Sequence, residues 1–162
     1  MDIEVHMGDI AVTKDTDNLI ASGIGSCLVI TLYDSKQKIG ALAHTMLPAR
    51  RIWFEAHNPK GERREANPAS PDTRYADTAI DEMIKIVEAK GAKRVDLEAK
   101  IIGGANMFSA FKSDIGENNI SYAREKLKNQ GIPIVGECVG GSQGRSVEFS
   151  VASGIVTVKT KF

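Results

Sequence analysis

Cys27 and His44 are the two side chains in this sequence whose types and setting suit them to joint chemistry. A thiol becomes a nucleophile near neutral pH when an imidazole within hydrogen-bond reach takes its proton. The backbone N–H groups of a tight turn can then hold the oxyanion that develops on the attacked carbonyl. Cys27 directly follows Gly25-Ser26, so the N–H groups of Gly25, Ser26 and Cys27 are the candidates for that concavity. His44 would first hold the thiol proton and then deliver it to a leaving amine. Taken singly, each residue has a bland reading, since free cysteine is among the most buried residue types and a histidine within A-L-A-H-T-M-L is commonly a core residue.

The elements that flank them couple the two. Residues 28–33 form an apolar, β-branched run, residues 39–46 form a second one rich in small side chains, and D-S-K-Q-K at 34–38 is a polar turn between them. The pattern predicts a β-hairpin. With the turn centred near Ser35 and Lys36, His44 stands directly opposite Cys27. Directly opposed side chains share a face with Cβ atoms roughly 5 Å apart, within reach of a thiol–imidazole hydrogen bond. The turn G-I-G-S at 23–26 is not a phosphate loop, because no Gly-Lys-Ser/Thr follows it and a strand comes next. Cys138 sits in an ordinary strand pattern without such a partner, and His6 and His57 read as structural or surface residues.

The rest of the chain reads as a scaffold for this hairpin. With 162 residues, 42% apolar and 26% charged, the sequence predicts one soluble domain. A formal net charge of zero gives no basic excess to recommend nucleic acid as a partner. The start of the sequence lacks a secretory pattern and no apolar run approaches membrane-spanning length, so a cytoplasmic location without membrane insertion is expected. Two cysteines and no C-x-x-C predict reduced thiols, with neither a disulfide framework nor a metal site.

Short strands are expected at 3–7 and 10–13, and a glycine-punctuated approach to Cys27 from residue 19. Residues 49–74 carry five arginines, four of the five prolines lie between Pro48 and Pro71, and no periodicity survives. This predicts a long surface loop, either a contact surface built on Trp53-Phe54 or a solvated insert. Residues 72–77 offer N-caps for a helix that ends at Lys90, with Gly91 as its stop signal. An alternating strand with one wet face follows at 95–102, then a second helix at 116–129. A strand at 132–137, a flexible turn at 140–144 and a hairpin of 147–151 with 155–159 complete the chain. Gly103-Gly104 and Gly140-Gly141 end strands, as tight turns or as sites of close backbone approach to a substrate chain. The fold class expected is α/β, a single domain of largely antiparallel sheets with two main helices packed outside.

A set of motifs adds a resemblance. G-I-G-S-C at 23–27, A-x-A-H-x-M-L-P at 41–48, Y-A-D-T-A at 75–79, G-G-A-N-M-F at 103–108, I-G-E-N-N at 115–119 and G-G-x-x-G-R-S-V-E at 140–148 together resemble the CheD family of chemoreceptor glutamine deamidases. The resemblance implies conversion of particular glutamines on methyl-accepting chemotaxis receptors to glutamates with release of ammonia, and no cofactor. It implies a papain-like pair, with Cys27 as nucleophile and His44 as general base and acid. It also implies a CheC-type phosphatase as a protein partner and a fold like that of glutamine-deamidating toxins. The family pattern has a threonine six residues before the cysteine, where this chain has Ala21. The third member that orients the imidazole is then Ser22, a backbone carbonyl or water. Ala21 also keeps open a second reading, a regulatory binding module that has lost catalysis. A third, a cysteine peptidase or γ-glutamyl transferase, would use the same chemistry on another acyl group.

Overall fold

The structure, a computed structural model, describes residues 1–49, 71–107 and 114–161. Most of the loop expected at 49–74, including Trp53-Phe54 and His57, lies outside the described residues. The strands are β1 (Asp2–Glu4), β2 (Ile10–Lys14), β3 (Asn18–Ile24), β4 (Leu28–Asp34), β5 (Ile39–Thr45), β6 (Leu97–Gly103), β7 (Ile134–Val139), β8 (Gly144–Ser150) and β9 (Ile155–Lys161). The helices are α1 (Ala76–Ala89) and α2 (Ile115–Asn129). The strands form an outer sheet of order β1-β3-β8-β9 and a central sheet of order β2-β5-β4-β6-β7. All pairings are antiparallel except β1 with β3 and β6 with β7.

The central sheet is covered on both faces, which explains why β4 reads as a continuous apolar run. Leu28, Ile30 and Leu32 of β4 and Ile39, Ala41 and Ala43 of β5 pack with Ala79, Ile80, Met83 and Val87 of α1 and Ala123 and Leu127 of α2. Val29, Leu42 and Ile102 point the other way, into a second cluster with Leu19, Ala21, Ile24, Val147 and Phe149 of the outer sheet. The result is the α/β class expected from the sequence, with both helices on the same side of the central sheet.

Local chemistry moved several boundaries. No side chain caps α1: Asp72 pairs with Arg74 instead, and the first N–H groups of the helix, on Ala76 and Asp77, donate to the carbonyls of Leu47 (2.8 Å) and Pro48 (3.4 Å). A 3₁₀ turn at Arg94–Asp96 delays β6 and leaves Val95 exposed. The wet face of β6 is limited to Glu98 and Lys100, because the outer sheet covers Ile102.

The hairpin of β4 and β5 forms, but in a different register. Leu28 pairs with Thr45, Val29 with His44 and Asp34 with Ile39, so His44 stands opposite Val29 rather than Cys27. The turn explains the shift. The Asp34 carboxylate accepts the N–H groups of Lys36 (3.0 Å) and Gln37 (3.1 Å), and Lys38 takes a left-handed φ of 52°, which closes a loop of residues 35–38. Because the register moves by two residues, the alternation of faces is preserved.

Candidate active site

β3 carries the chain toward Cys27 with a bulge. Ala21 pairs with Val147 and Ile24 with Arg145, so one extra residue is accommodated on β3, with Gly23 at a left-handed φ of 68°. Ala21 and Ile24 both turn into the inter-sheet core, and Ser22 is exposed. Residues 25–27 then cross from the outer sheet to the central sheet, with Cys27 immediately before β4.

Three hydrogen bonds hold this crossing. The carbonyls of Gly25, Ser26 and Cys27 accept from Ala105 N (3.0 Å), Asn119 Nδ2 (2.9 Å) and Gly104 N (2.8 Å), respectively. Gly103, at a φ of 114°, is required here: a Cβ on it would lie 2.4 Å from the Cys27 carbonyl oxygen. The close approach read from Gly103-Gly104 is therefore made to the Cys27 turn itself. The Met107 side chain lies beside Gly25 and is 45% exposed, so an apolar contact flanks the turn.

His44 is buried within the sheet, opposite Val29. Cys27, two residues before Val29, packs on the same inter-sheet cluster and is half-buried. The two residues are thus diagonal neighbours across the hairpin, on one face of the sheet. The imidazole Nδ1 lies 3.4 Å from the Val5 carbonyl oxygen, and Nε2 is buried without a hydrogen-bond partner among the described residues. A carbonyl only accepts, so Nδ1 carries the proton and Nε2 keeps a free lone pair.

Burial pushes the His44 pKa down, against the raising effect of the Val5 carbonyl; His6 lowers it further and Asp9 raises it. Burial likewise pushes the Cys27 thiol up, partly offset by its own backbone N–H. Both shifts favour the uncharged forms, a neutral thiol and a neutral imidazole.

Of the residues singled out from the sequence, the structure brings Cys27, His44, Gly25 and Ser26 into one region and leaves Ser22 out of it. Strand alternation turns Ser22 to the surface, next to the buried Ala21, and the imidazole meets the Val5 carbonyl instead. Cys138 is half-buried in β7 opposite Ile102, and His6 is exposed. Asn119 stood in the sequence only as part of a motif. It is fully buried, and its Nδ2 donates to Ser26 O and also to Met46 O (3.1 Å), while its Oδ1 has no partner among the described residues. The signal was a polar residue on the apolar stripe of α2, four residues before Ala123 and eight before Leu127. Among the described residues, no group of three or more His, Cys, Asp or Glu side chains is placed to hold a metal, and no helix is long and apolar enough to cross a membrane.

Comparison with known proteins places this chain in a family. A family model described as CheD chemotactic sensory transduction matches residues 46–160. The chain belongs to the CheD family. CheD relatives match at nearly full length. The chemoreceptor glutamine deamidase CheD of Halalkalibacterium halodurans is 38% identical over 98% of this chain and 93% of its own. A probable chemoreceptor glutamine deamidase CheD of Methanococcus vannielii is 41% identical over 98% of this chain and 95% of its own, and one of Clostridium botulinum is 37% identical over 98% and 93%. The CheD family model begins two residues after His44, so the match includes Asn119 and the Gly103-Gly104 turn but neither Cys27 nor His44.

Proposed function

We propose that this CheD-family chain hydrolyses the side-chain amide of particular glutamines on methyl-accepting chemotaxis receptors, giving glutamate and ammonia. The observation that carries the reading is the free Nε2 lone pair of His44 on the same sheet face as the half-buried Cys27 thiol. The names of the full-length relatives support the substrate and the reaction.

Nε2 takes the thiol proton as Cys27 Sγ attacks the amide carbon, and the tetrahedral oxyanion is held by N–H groups of the turn at Gly25, Ser26 and Cys27. The imidazolium returns that proton to the amide nitrogen, the C–N bond breaks, and ammonia leaves a thioester on Cys27. Water then attacks the thioester carbonyl while Nε2 takes its proton. The C–S bond breaks, the carboxylate departs and the thiol is restored. Each cycle consumes one water and needs no cofactor. Such a chain works in the cytoplasm, where the methylation helices of receptors lie, and a CheC-type phosphatase is its expected protein partner.

The test is ammonia release from a receptor cytoplasmic fragment, by the intact protein and by Cys27→Ala. Release by the intact protein alone is the expected result; equal release by both, or by neither, contradicts the mechanism.

Ala21 favours a second reading, a regulatory module that binds the phosphatase or a receptor without turnover. A chain silent toward several receptor fragments, whose Ala21→Thr variant releases ammonia, would support it.

A further inference from the structure

We propose that Asn119 is a positioning residue of this site: by holding the Ser26 carbonyl, its amide fixes the plane of the Ser26–Cys27 peptide and so the direction of the Cys27 N–H. The inference rests on the reading of Cys27 as nucleophile, and adds a residue on α2 to a site otherwise built from β3, β4 and β5.

A trans peptide is planar, with its C=O and N–H pointing in opposite directions. Once Asn119 Nδ2 captures Ser26 O at 2.9 Å, the N–H of Cys27 must point away from α2. The Cys27 thiol is pushed up by burial, and its own backbone N–H offsets part of that rise. A hydrogen bond to the carbonyl of an amide also polarises the amide and strengthens its N–H as a donor. The second Nδ2 proton reaches Met46 O at 3.1 Å, two residues beyond His44. One buried amide group therefore ties the segment that presents the nucleophile to the segment that presents the base.

The packing leaves Asn119 little freedom. It is fully buried in the first turns of α2, and Gly116, one turn earlier, packs so closely on the carbonyls of Gly104 and Ala105 that a Cβ would lie 2.6 and 2.8 Å from them. Its Oδ1 makes no hydrogen bond among the described residues, so the donor side of the amide makes the contacts here. An amide on the apolar stripe of a helix whose two donors hold the Ser26 and Met46 carbonyls is better explained by those contacts than by helix stability.

The experiment follows alkylation of the intact protein by iodoacetamide as a function of pH, read by peptide mass spectrometry at Cys27 and Cys138 separately. It compares the wild type with Asn119→Ala and the milder Asn119→Ser, each shown to be folded at the assay temperature. The expected result is an upward shift of the Cys27 titration and a fall of at least about fivefold in its alkylation rate at neutral pH, with Cys138 unchanged. In the ammonia assay, kcat should fall on the order of tenfold to a hundredfold while KM stays within about twofold. An unchanged Cys27 profile in a folded variant, or a parallel rise at Cys27 and Cys138 from general loosening, overturns the proposal. So does the failure of both variants to fold, which would make Asn119 a structural residue only. Alkylation needs no substrate, so a shifted Cys27 titration in a chain that releases no ammonia would keep the positioning role and reject the deamidase reading.

Discussion

His44 Nδ1 faces the carbonyl oxygen of Val5 at 3.4 Å, and this contact sets which imidazole nitrogen keeps a free lone pair. The strand pairing makes it possible. Val5 N donates to Ile20 O at 2.7 Å, which lays residue 5 beside β3. The His44 backbone is held from the same side, accepting from Gly8 N (2.7 Å) and donating to Asp9 O (3.1 Å). A backbone carbonyl thus orients the imidazole.

The first prediction concerns pH. The folded pKa of His44 lies below its ordinary value because of burial, so between about pH 6.5 and that lower value the unfolded chain binds a proton that the folded chain does not. Stability is then fully present above about pH 6.5 and is lost as pH falls, at up to about 1.4 kcal/mol per pH unit. Urea denaturation at a series of pH values should show this component in the wild type and its loss in His44→Gln. The acid limb of kcat/KM should also fall below the ordinary histidine pKa, because catalysis needs the neutral imidazole.

The turn of the hairpin supplies the second. The buried Asp34 carboxylate accepts N–H groups from Lys36, Gln37 and Lys93, tying the turn to the segment before β6. Asp34→Ala leaves these donors without their partner and should cost about 3 kcal/mol by chemical denaturation. Arg124→Ala breaks only a partly exposed pair with Glu137 and should cost less than about 1 kcal/mol.

The same turn explains how far the site could be read from the sequence. The apolar runs on either side of residues 34–38 disclosed the hairpin and the shared face of Cys27 and His44, because the period of a strand depends only on side-chain alternation. The register depended on Asp34 side-chain hydrogen bonds and on a left-handed Lys38, and neither is visible as a pattern. For the same reason the pattern from residue 19 on shows only a glycine-punctuated approach to Cys27 and not the extent of β3. Its glycines mark a bulge within a strand, and that bulge decides that Ile24, not Gly23, is the next residue after Ala21 to face the core. The Val5 carbonyl had no sequence signal at all, being a backbone atom delivered by a parallel pairing between β1 and β3.

A third prediction follows from the close approach at Gly103. Gly103→Ala places a methyl group against the Cys27 carbonyl at a φ that L-residues avoid, so the turn must move. We expect a loss of stability of at least about 2 kcal/mol and a kcat reduced more than tenfold in the fraction that remains folded, measured by urea denaturation and ammonia release.

A fourth separates binding from turnover. Cys27→Ser conserves volume and polarity, so it should leave the affinity for a CheC-type phosphatase or a receptor fragment within about twofold, measured by calorimetry, while lowering ammonia release by more than about a hundredfold.

The most direct measurement is peptide mass spectrometry of a receptor cytoplasmic fragment after incubation with this protein and, separately, with Cys27→Ala. Hydrolysis of an amide to an acid raises the mass by about one unit. The account predicts that gain at specific glutamines with the intact thiol and at none with the variant. The same gain with Cys27→Ala, or an unchanged fragment with both, would contradict it.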